Sequence, residues 1–291
     1  MRPRTVAIAT CAAHPPPDAE NRLLLDALRA RGIEATAVPW NASPPDPWES
    51  YDAVVVRATW DYTWALEDFL RWTRAIGPRL HNAPDVIAWN ADKRYLFDLE
   101  RAGLPVVGGE HLPPGGSFRP PPGRYVVTPT VSAGARDTAV YDAARHPAAE
   151  AHVRALHADG RDVLVQPYYD SVEGEAETAV VLIDGRAEHC MRKGPLLALG
   201  EPPSDLPFRA EDMRPREADA DVLALAEDAW RLATARFGPL LYARVDVLRD
   251  DRGAPAVLEL ELIEPSLFLD FAPGSAETLA RALLRRADGG A

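Results

Sequence analysis

Lysine is scarce in this sequence, since Lys93 and Lys193 are the only two lysines among 32 basic residues. Arginine is therefore the ordinary cation of the chain. The ammonium group of a lysine is a compact point charge, which the planar guanidinium of an arginine does not reproduce. We interpret the two lysines as candidates for contacts with a small anionic ligand. The alternative is that both are ordinary surface residues.

Cysteine is also rare, and long apolar runs are missing. Cys11 and Cys190 cannot build a disulfide framework, which is typical of a reducing compartment, so a cytoplasmic location is expected. No apolar run approaches the ~20 residues that a transmembrane helix needs, so no membrane partner is expected. The formal net charge of −12 disfavours a dedicated nucleic-acid-binding protein, because such proteins are usually basic.

The common nucleotide-binding fingerprints are absent from the sequence. It contains neither a G-x-x-x-x-G-K-[ST] loop nor a G-x-G-x-x-G turn. Its cysteines and histidines form no metal-ligand spacing and no nucleophile–base motif. A nucleotide or metal site in this chain must therefore be built from other residue types.

The first part of the chain has the pattern of a β-α-β unit. Strands are predicted over 33–38 and 53–57, and a helix is predicted to begin at an Asp18 cap and to run to Arg31. Apolar side chains run almost without interruption through the second strand, which is typical of a parallel sheet covered on both faces. A small α/β unit is therefore expected at the start of the chain.

The rest of the chain alternates between short strands and helices. Asp184-Gly185 separates two apolar segments, which is a strong signal for a hairpin. The Pro-rich stretches 105–123 and 199–216 are predicted to be loops. The other predicted elements are helices over 65–76, 92–103, 147–158, 219–237 and 275–286 and strands over 125–127, 162–166, 178–183, 187–191, 240–248 and 256–263.

Acidic side chains alternate with apolar ones along the last two predicted strands. Side chains alternate between the faces of a strand, so Arg244 and Asp246 share one face, as do Glu259 and Glu261. If the strands pair as a hairpin, the three carboxylates converge beside Arg244. Carboxylate oxygens suit Mg²⁺, which usually takes substrate phosphates as further ligands. The alternative is a solvated polar face, which predicts mixed polar and basic residues rather than two glutamates.

Two further segments have the composition of ligand-binding sites. The small residues of 131–135 would let backbone N–H groups approach an anion closely, and such loops are also common without a ligand. Arg57 ends a buried strand, where ligands of open α/β sheets bind, and Trp60 and Tyr62 follow it. The alternative is that these aromatic residues belong to the core and that Arg57 pairs with Asp61.

Taken together, these residues resemble the ATP-grasp superfamily, and in particular its branch of cycloserine-forming and related carboxylate–amine ligases. The resemblance extends over nearly the whole chain, and its motifs occur in the family's order. The motifs are VVVRATWDYTW (54–64), WNADKRYLFDLERAGLPVV (89–107), VSAGARDT (131–138), VLVQPYYDSVEGEAE (163–177), MRKGP (191–195), LYARVDVL (241–248) and VLELELIEPSLFL (257–269).

The resemblance implies a role for each group of residues. It implies nucleotide binding by Lys93, Thr128, Ser132, Ala133, Gly134, Gln166, Pro167, Tyr168, Glu173 and Glu177. It implies that Lys193 and Arg244 are catalytic cations facing the triphosphate and the acyl phosphate. The implied Mg²⁺ ligands are Asp246, Glu259 and Glu261. Substrate contacts are predicted for Arg57, Trp60, Asp61, Tyr62 and Glu264.

One position departs from the family pattern. Relatives usually carry Lys-Pro at the end of the strand before the flexible loop, and that lysine contacts a nucleotide phosphate. This sequence has Thr128-Pro129 there, and a threonine supplies no charge. We expect weaker nucleotide binding unless another cation replaces the lysine, and Arg124 and Arg136 are the nearby candidates.

The resemblance also implies the architecture. The expected fold is the α/β (α+β) ATP-grasp fold, in which a parallel-sheet unit precedes a small lid and an antiparallel sheet that carries the metal site. The expected divisions are a substrate-binding domain over 1–87, a lid subdomain over 88–165 and a C-terminal subdomain over 166–291.

Three functions fit these expectations. The first is an ATP-dependent carboxylate–amine ligase that acts on small molecules through an acyl phosphate, with ATP and Mg²⁺ as cofactors, in specialised metabolism such as antibiotic biosynthesis. The second is a cyclo-ligase that closes a small amino-acid-like ring. The third is a degenerate ATP-grasp binding or scaffold protein, which Thr128 favours and which the intact carboxylate set disfavours. Relatives are often dimers, so a homodimer is possible.

Overall fold

The chain folds around three sheets. The computed structural model describes residues 4–12, 19–43, 46–205 and 212–287. The strands are β1 (Thr5–Thr10), β2 (Glu34–Pro39), β3 (Ala53–Ala58), β4 (Leu80–His81), β5 (Glu110–Leu112), β6 (Tyr125–Pro129), β7 (Ala139–Tyr141), β8 (Val163–Pro167), β9 (Glu177–Ile183), β10 (Arg186–Lys193), β11 (Met213–Arg216), β12 (Tyr242–Arg249) and β13 (Pro255–Glu261). The helices are α1 (Ala19–Arg29), α2 (Leu66–Ile76), α3 (Pro84–Asn90), α4 (Tyr95–Arg101), α5 (His146–Ala158), α6 (Ser171–Gly174), α7 (Ala220–Phe237) and α8 (Ser275–Ala287).

The first sheet is parallel throughout, in the order β2-β1-β3-β4. Every residue of β3 is buried, which confirms that this apolar strand is covered on both faces. Leu24, Leu25 and Leu28 of α1 are buried on one face of the helix, as an amphipathic pattern predicts. The predicted cap of this helix, Asp18, lies outside the described residues. The β-α-β prediction for this part of the chain is confirmed.

The second sheet is antiparallel, in the order β5-β8-β6-β7, and α5 covers one face of it. Strand β5 lies within the stretch 105–123, which the sequence predicts to be a loop, so that prediction is wrong at Glu110–Leu112. These three residues pair with β8 at the edge of the sheet. A strand this short has no alternation that a sequence pattern could reveal. The expected lid boundary at residue 165 falls inside β8.

The third sheet has the order β11-β10-β9-β12-β13, with all pairs antiparallel. The predicted hairpin is confirmed, because Asp184 and Gly185 join β9 to β10 with φ values of 52° and 82°. Helix α7 packs on this sheet through Ala226, Ala229 and Ala233. Strand β11 lies within the predicted loop 199–216. That prediction is wrong over these four residues, which pair with the edge of β10.

Two asparagine side chains join the first and third sheets. Asn82 Nδ2 donates hydrogen bonds to Tyr242 O (3.0 Å) and Leu262 O (2.9 Å), and Asn82 Oδ1 accepts one from Leu241 N (2.6 Å). Asn90 makes the same kind of bridge, with Nδ2 bonded to Leu260 O and Oδ1 bonded to Leu262 N. Both side chains are buried, so they replace the missing strand partners of β12 and β13 at the junction.

Helix α8 packs against α1, so the end of the described chain returns to its first helix. Helix α3, which the sequence did not predict, begins with Pro84 in its first turn and precedes the predicted helix 92–103, which is observed as α4. No helix among the described residues is long and apolar enough to span a membrane.

Candidate active site

A cavity of about 260 Å³ lies where the three sheets meet. The second sheet supplies one wall, and the third sheet supplies the opposite wall. The predicted site residues that line it are Trp60, Tyr62, Lys93, Thr128, Ser132, Ala133, Gly134, Gln166, Pro167, Tyr168, Glu177, Lys193, Arg244, Glu259, Glu261 and Glu264. Residues that are far apart in the sequence are therefore brought to one site.

The three predicted metal ligands converge as the strand alternation indicates. Strands β12 and β13 pair with Asp246 opposite Glu259 and with Arg244 opposite Glu261. One oxygen from each of the three carboxylates lies within 4.8 Å of the others. Three hard oxygen donors at this separation fit a Mg²⁺ ion that keeps further positions for phosphate or water. The observed burial of Asp246 argues against a solvated polar face.

Each carboxylate of this cluster is paired with a cation. Lys193 Nζ donates hydrogen bonds to Asp246 (2.7 Å) and Glu177 (3.0 Å). Lys93 pairs with Glu259. Arg244 donates to Asp246 through Nε (2.9 Å) and Nη2 (3.0 Å). Both lysines of the chain therefore lie in the cavity rather than on the open surface.

Arg244 also pairs with Glu261, the third carboxylate. The strongly basic pKa of Arg244 rises further, because the charges of Asp246 and Glu261 outweigh the effect of its burial. Arg244 thus remains a cation in the site. It lies between two of the predicted metal ligands and faces the cavity.

The acidic groups differ in pKa. Burial raises the pKa of Asp246, but the charges of Arg244 and Lys193 outweigh it and lower the pKa to about 2. Burial and the neighbouring carboxylates raise the pKa of Glu261 to about 7, although Arg244 opposes the rise. The pKa of Glu264 is also raised well above its usual range, mainly by burial. The site therefore combines a permanently ionised carboxylate with others that hold a proton readily.

The other end of the cavity carries the loop between β6 and β7. Gly134 and Ala135 have φ values of 61° and 55°, so this stretch turns through the left-handed region. Thr128, which the resemblance aligns with a lysine, has its Oγ1 2.8 Å from Thr138 Oγ1. Both threonines line the cavity. Two neutral hydroxyls therefore stand where the sequence pattern leads us to expect a cation.

Neither candidate replacement cation lines this cavity. Arg124 pairs with Asp170 (2.7 Å) and with Glu173, and its guanidinium lies over the ring of Tyr168. Arg136 lies over the ring of Trp64, 5.0 Å from the ring centre. The hypothesis that Arg124 or Arg136 replaces the lysine is therefore not supported by their positions.

Glu173 is likewise absent from the cavity lining. Besides its ion pair with Arg124, it accepts a long hydrogen bond from Tyr168 Oη (3.5 Å). Gln166 and Pro167 pair with β6 as part of β8, and Tyr168 N bonds to Arg124 O. Gln166, Pro167 and Tyr168, three of the predicted nucleotide contacts, line the cavity, whereas Glu173, another predicted contact, does not.

Arg57 occupies a different place from either predicted one. Its side chain is 2% exposed, pairs with Glu20 and donates a hydrogen bond to Pro265 O (2.6 Å). It is not among the residues that line the cavity, so direct contact with a substrate is not supported. Asp61, the partner that the sequence suggested, accepts hydrogen bonds from Trp40 Nε1 and Asn41 Nδ2, both at 2.7 Å.

The aromatic residues near Arg57 line the cavity, and one of them also belongs to the core. Trp60 and Tyr62 line the cavity. Tyr62 is also buried and stacks on Phe69 with the ring centres 5.0 Å apart. The core and the cavity wall therefore share this side chain, and Asp61 between them is buried without lining the cavity.

Sequence reasoning missed several residues of the site. Tyr95 lines the cavity, and its Oη accepts a hydrogen bond from Leu260 N (2.9 Å), between the two glutamates of β13. Ser266 lines the cavity two residues beyond Glu264, and this proximity could have indicated it. Thr138 has no signal in the sequence, because only the β6–β7 pairing brings it to Thr128.

Comparisons with known proteins find relatives that match nearly the whole chain. A family model for the N-terminal domain of D-cycloserine synthetase DcsG matches residues 6–82. The cycloserine biosynthesis protein DcsG of Streptomyces lavendulae is 34% identical over 297 residues, covering 97% of this chain and 98% of that protein. The crystal structure of D-cycloserine synthetase DcsG matches with a TM-score of 0.88 and 34% identity, over 97% of this chain and 99% of that one.

More distant structures share the fold. The ATP-grasp ligase PsnB, complexed with a minimal precursor, has a TM-score of 0.66 at 20% identity over 97% of this chain and 99% of that one. D-alanine–D-alanine ligase from Bacillus anthracis, complexed with ATP, has a TM-score of 0.66 at 14% identity over 99% and 100%.

These similarities define the class and then the family. The fold is that of ATP-grasp ligases, and the chain is an enzyme that forms C–N bonds. It belongs to the ATP-grasp ligases, in the family of the cycloserine biosynthesis protein DcsG. The predicted superfamily, fold class and ligase activity are confirmed.

Proposed function

We propose that this enzyme closes a small ring by joining a carboxylate to a nitrogen nucleophile of the same molecule, with ATP converted to ADP and phosphate. The observation that carries this proposal is the 34% identity to a D-cycloserine synthetase over nearly the full length of both chains. The sequence alone favoured joining two separate molecules. Similarity at this level, extending through the N-terminal unit that holds Trp60 and Tyr62, favours the intramolecular reaction.

ATP and Mg²⁺ are the proposed cofactors. Relatives of the same fold have been solved with ATP and with Mg and ADP. In this chain, Asp246, Glu259 and Glu261 would hold the metal, and Ser132 to Gly134 would lie over the phosphates. When bound, Mg²⁺ would neutralise charge that develops on the phosphates during transfer.

The cations of the site have a second role in this proposal. Lys93, Lys193 and Arg244 pair with the three carboxylates. Once a metal neutralised those carboxylates, the same cations would turn towards the phosphates of a bound nucleotide. They would stabilise the transferred phosphoryl group by position and charge.

The proposed chemistry has two steps. The substrate carboxylate attacks the terminal phosphate of ATP, giving an acyl phosphate and ADP. The nitrogen nucleophile of the same molecule then attacks the acyl carbon, loses its proton and releases phosphate. Because an acyl phosphate hydrolyses readily, the second sheet must close over the site and exclude water.

The substrate end of the cavity is proposed to lie beside Glu264, Trp60 and Tyr62. All three line the cavity. Trp60 and Tyr62 follow β3 of the first sheet, and Glu264 follows β13 of the third sheet. Burial raises the pKa of Glu264 well above its usual range, which favours the protonated form of this carboxyl. A compact amino acid is the expected substrate class, because bulky aromatic side chains form this wall.

Titration calorimetry with a non-hydrolysable ATP analogue tests the nucleotide site, with and without Mg²⁺. We expect Mg²⁺-dependent binding in the wild type and its loss in Asp246→Asn, because this change replaces the most buried carboxylate of the cluster with a neutral amide. Asp184→Asn is the matched control, since Asp184 pairs with Arg285 and Arg286 away from the cavity. No binding by the wild type at millimolar nucleotide would contradict the ligase proposal and favour a scaffold.

Product analysis tests ring closure. Opening the amide bond of the cycloserine ring gives an amino acid with an aminooxy side chain, O-amino-D-serine, which is a suitable probe. The proposal expects ATP-dependent release of ADP and phosphate with formation of the cyclic product from this compound alone. Turnover that occurs only after a separate amine is added would instead identify an intermolecular ligase.

A further inference from the structure

The segment that follows β13 connects the carboxylate cluster to the substrate end of the cavity. It comprises residues 264–269, and its Glu264 and Ser266 line the cavity. Phe268 has a φ of 52°, which a bulky aromatic residue rarely adopts. Since this stretch belongs to no helix or strand, other interactions must fix its conformation.

Glu20 holds the segment through its backbone. Its Oε1 accepts a hydrogen bond from Leu267 N (3.1 Å), and its Oε2 accepts one from Phe268 N (2.7 Å). Both acceptors are oxygens of the same carboxylate, so one side chain holds two successive backbone N–H groups. A side chain of α1 thus fixes the backbone of a cavity segment more than 240 residues away in the chain.

Arg57, which lies on β3, also fixes the segment 264–269. It pairs with Glu20, and its Nη2 donates to Pro265 O (2.6 Å). Its guanidinium also lies 5.2 Å from the ring centre of Tyr242. Because Arg57 contacts both Glu20 and the segment itself, it orients the carboxylate and fixes Pro265, which lies between the two residues that line the cavity.

The opposite side of the segment is bonded to the site. Arg244 Nη1 donates to Ser266 O (3.2 Å), while the same guanidinium binds Asp246. His189 Nε2 lies 2.8 Å from Leu267 O. The segment is therefore held between the first sheet and the arginine of the carboxylate cluster. A shift of either hold would move Glu264 and Ser266 relative to a bound substrate.

We propose that Arg57 and Glu20 form a positioning pair that sets substrate affinity by holding residues 264–268 at the wall of the cavity. The proposal rests on the proposed function, since it takes this wall to be the substrate end. Neither residue needs to contact a ligand. The nucleotide end is bounded by other elements, so the pair acts on the amino-acid substrate and not on ATP.

Steady-state kinetics with O-amino-D-serine and ATP distinguish positioning from general stability. In Arg57→Met and Glu20→Gln we expect the KM for the amino acid to rise at least tenfold, with an unchanged KM for ATP. Arg57→Lys keeps the charge and should recover part of the loss. A purely structural role predicts fewer active molecules, hence a lower apparent kcat with both KM values unchanged, and that result would overturn the proposal.

Arg286→Met is the matched control for these variants. Arg286 is also a largely buried arginine in an ion pair, with Asp184, and neither residue lines the cavity. This variant should leave both KM values at the wild-type level. A similar rise in the KM for the amino acid would show that loss of any buried arginine pair suffices, which would contradict the proposal.

Hydrogen exchange provides a readout that does not depend on turnover. The amide hydrogens of Leu267 and Phe268 should be protected in the wild type and should exchange at least tenfold faster in Glu20→Gln, whereas that of Val245 in β12 should not change. Absence of this difference would overturn the hold itself. Failure of the proposed function would appear separately, as a wild type that protects these amides but does not turn over the probe.

Discussion

The carboxyl groups of Asp246 and Glu261 differ in pKa, and the physical reason lies in their neighbours. Asp246 has no exposed surface, yet two cations keep its pKa at about 2. Burial and the neighbouring carboxylates raise the pKa of Glu261 to about 7, although Arg244 opposes the rise. The two groups lie on paired strands and differ because Lys193 and Arg244 both contact Asp246, whereas Glu261 pairs with Arg244 alone.

The raised pKa of Glu261 predicts a pH dependence of stability. Its folded-state pKa of about 7 lies above the ordinary value of 4.5, so its contribution to stability is fully present below pH 4.5 and is lost as pH rises through 7. Without Mg²⁺, Glu261→Gln should remove that loss. The free energy of unfolding of this variant, relative to that of wild type, should therefore be up to about 3 kcal/mol greater at pH 8 than at pH 4.5. Urea denaturation at several pH values measures the difference.

Glu277→Gln is the control for the change in net charge, because it removes the same charge from an exposed residue of α8. An equal stability difference between Glu261→Gln and wild type at both pH values would show that Glu261 keeps its ordinary titration.

Thr128 predicts an effect of charge on nucleotide affinity. Thr128→Lys places a cation in a cavity that now holds a pair of hydroxyls at this point, so we expect several-fold tighter binding of the Mg²⁺-nucleotide analogue. The gain should shrink as salt is raised, because screening weakens the interaction. Calorimetry at two salt concentrations measures it. Thr278→Lys on α8 makes the same change of charge elsewhere, and equal affinities in the two variants would refute the prediction.

Elements bring these residues together by their pairing. Strands β12 and β13 place Asp246 opposite Glu259, which the alternating sequence predicts. The short edge strands β5 and β11 lie in Pro-rich stretches and were predicted to be loops. Their pairing depends on β8 and β10, which are distant in the sequence, so no local pattern could have revealed them.

The loop between β6 and β7 gives a prediction at this scale. Gly134 has a φ of 61°, and a β-branched side chain there costs roughly 1–2 kcal/mol of backbone strain. Gly134→Val should therefore weaken binding of the nucleotide analogue about tenfold, while thermal unfolding of the core changes little. Gly115→Val imposes similar strain at a φ of 84° in an open turn away from the cavity. Unchanged nucleotide affinity in Gly134→Val would contradict the role of this loop.

At the scale of the whole molecule, the junction between the first and third sheets fixes the cavity. Asn82 satisfies three buried backbone groups of Leu241, Tyr242 and Leu262. The predicted boundary at residue 87 lies close to this junction and remains a prediction, as does a homodimer. The packing of α8 on α1 further joins the two ends of the described chain.

Asn82→Ala tests how strongly this junction contributes to folding. The substitution leaves three buried backbone groups without their partner, at about 1–3 kcal/mol for each unsatisfied group before relaxation. We expect a loss of roughly 2–5 kcal/mol in the free energy of unfolding, measured by urea denaturation. Asn41→Ala removes a hydrogen bond to Asp61 and one from Ala12 N at an exposed position, where water can replace both, so it should lose much less. Equal losses in the two variants would show that the junction contributes nothing special.

The sequence by itself determined the superfamily, the parallel N-terminal sheet, the hairpins and the convergence of Asp246, Glu259 and Glu261. The superfamily came from the resemblance of the motifs. The parallel sheet, the hairpins and the convergence of the carboxylates follow from apolar periodicity, turn residues and the alternation of side chains along paired strands, all of which are local. The scarcity of lysine also indicated two residues that lie in the cavity.

Only the tertiary structure decided the place of Arg57, Glu173 and Thr138. Arg57 could have faced a ligand, Asp61 or another carboxylate, and the packing of α1 against β3 selected Glu20. Glu173 forms an ion pair with Arg124, and the pairing of β6 with β7 places Thr138 beside Thr128. A polar side chain pairs with whatever the fold places beside it, and that neighbour is set by contacts between distant segments rather than by its own sequence.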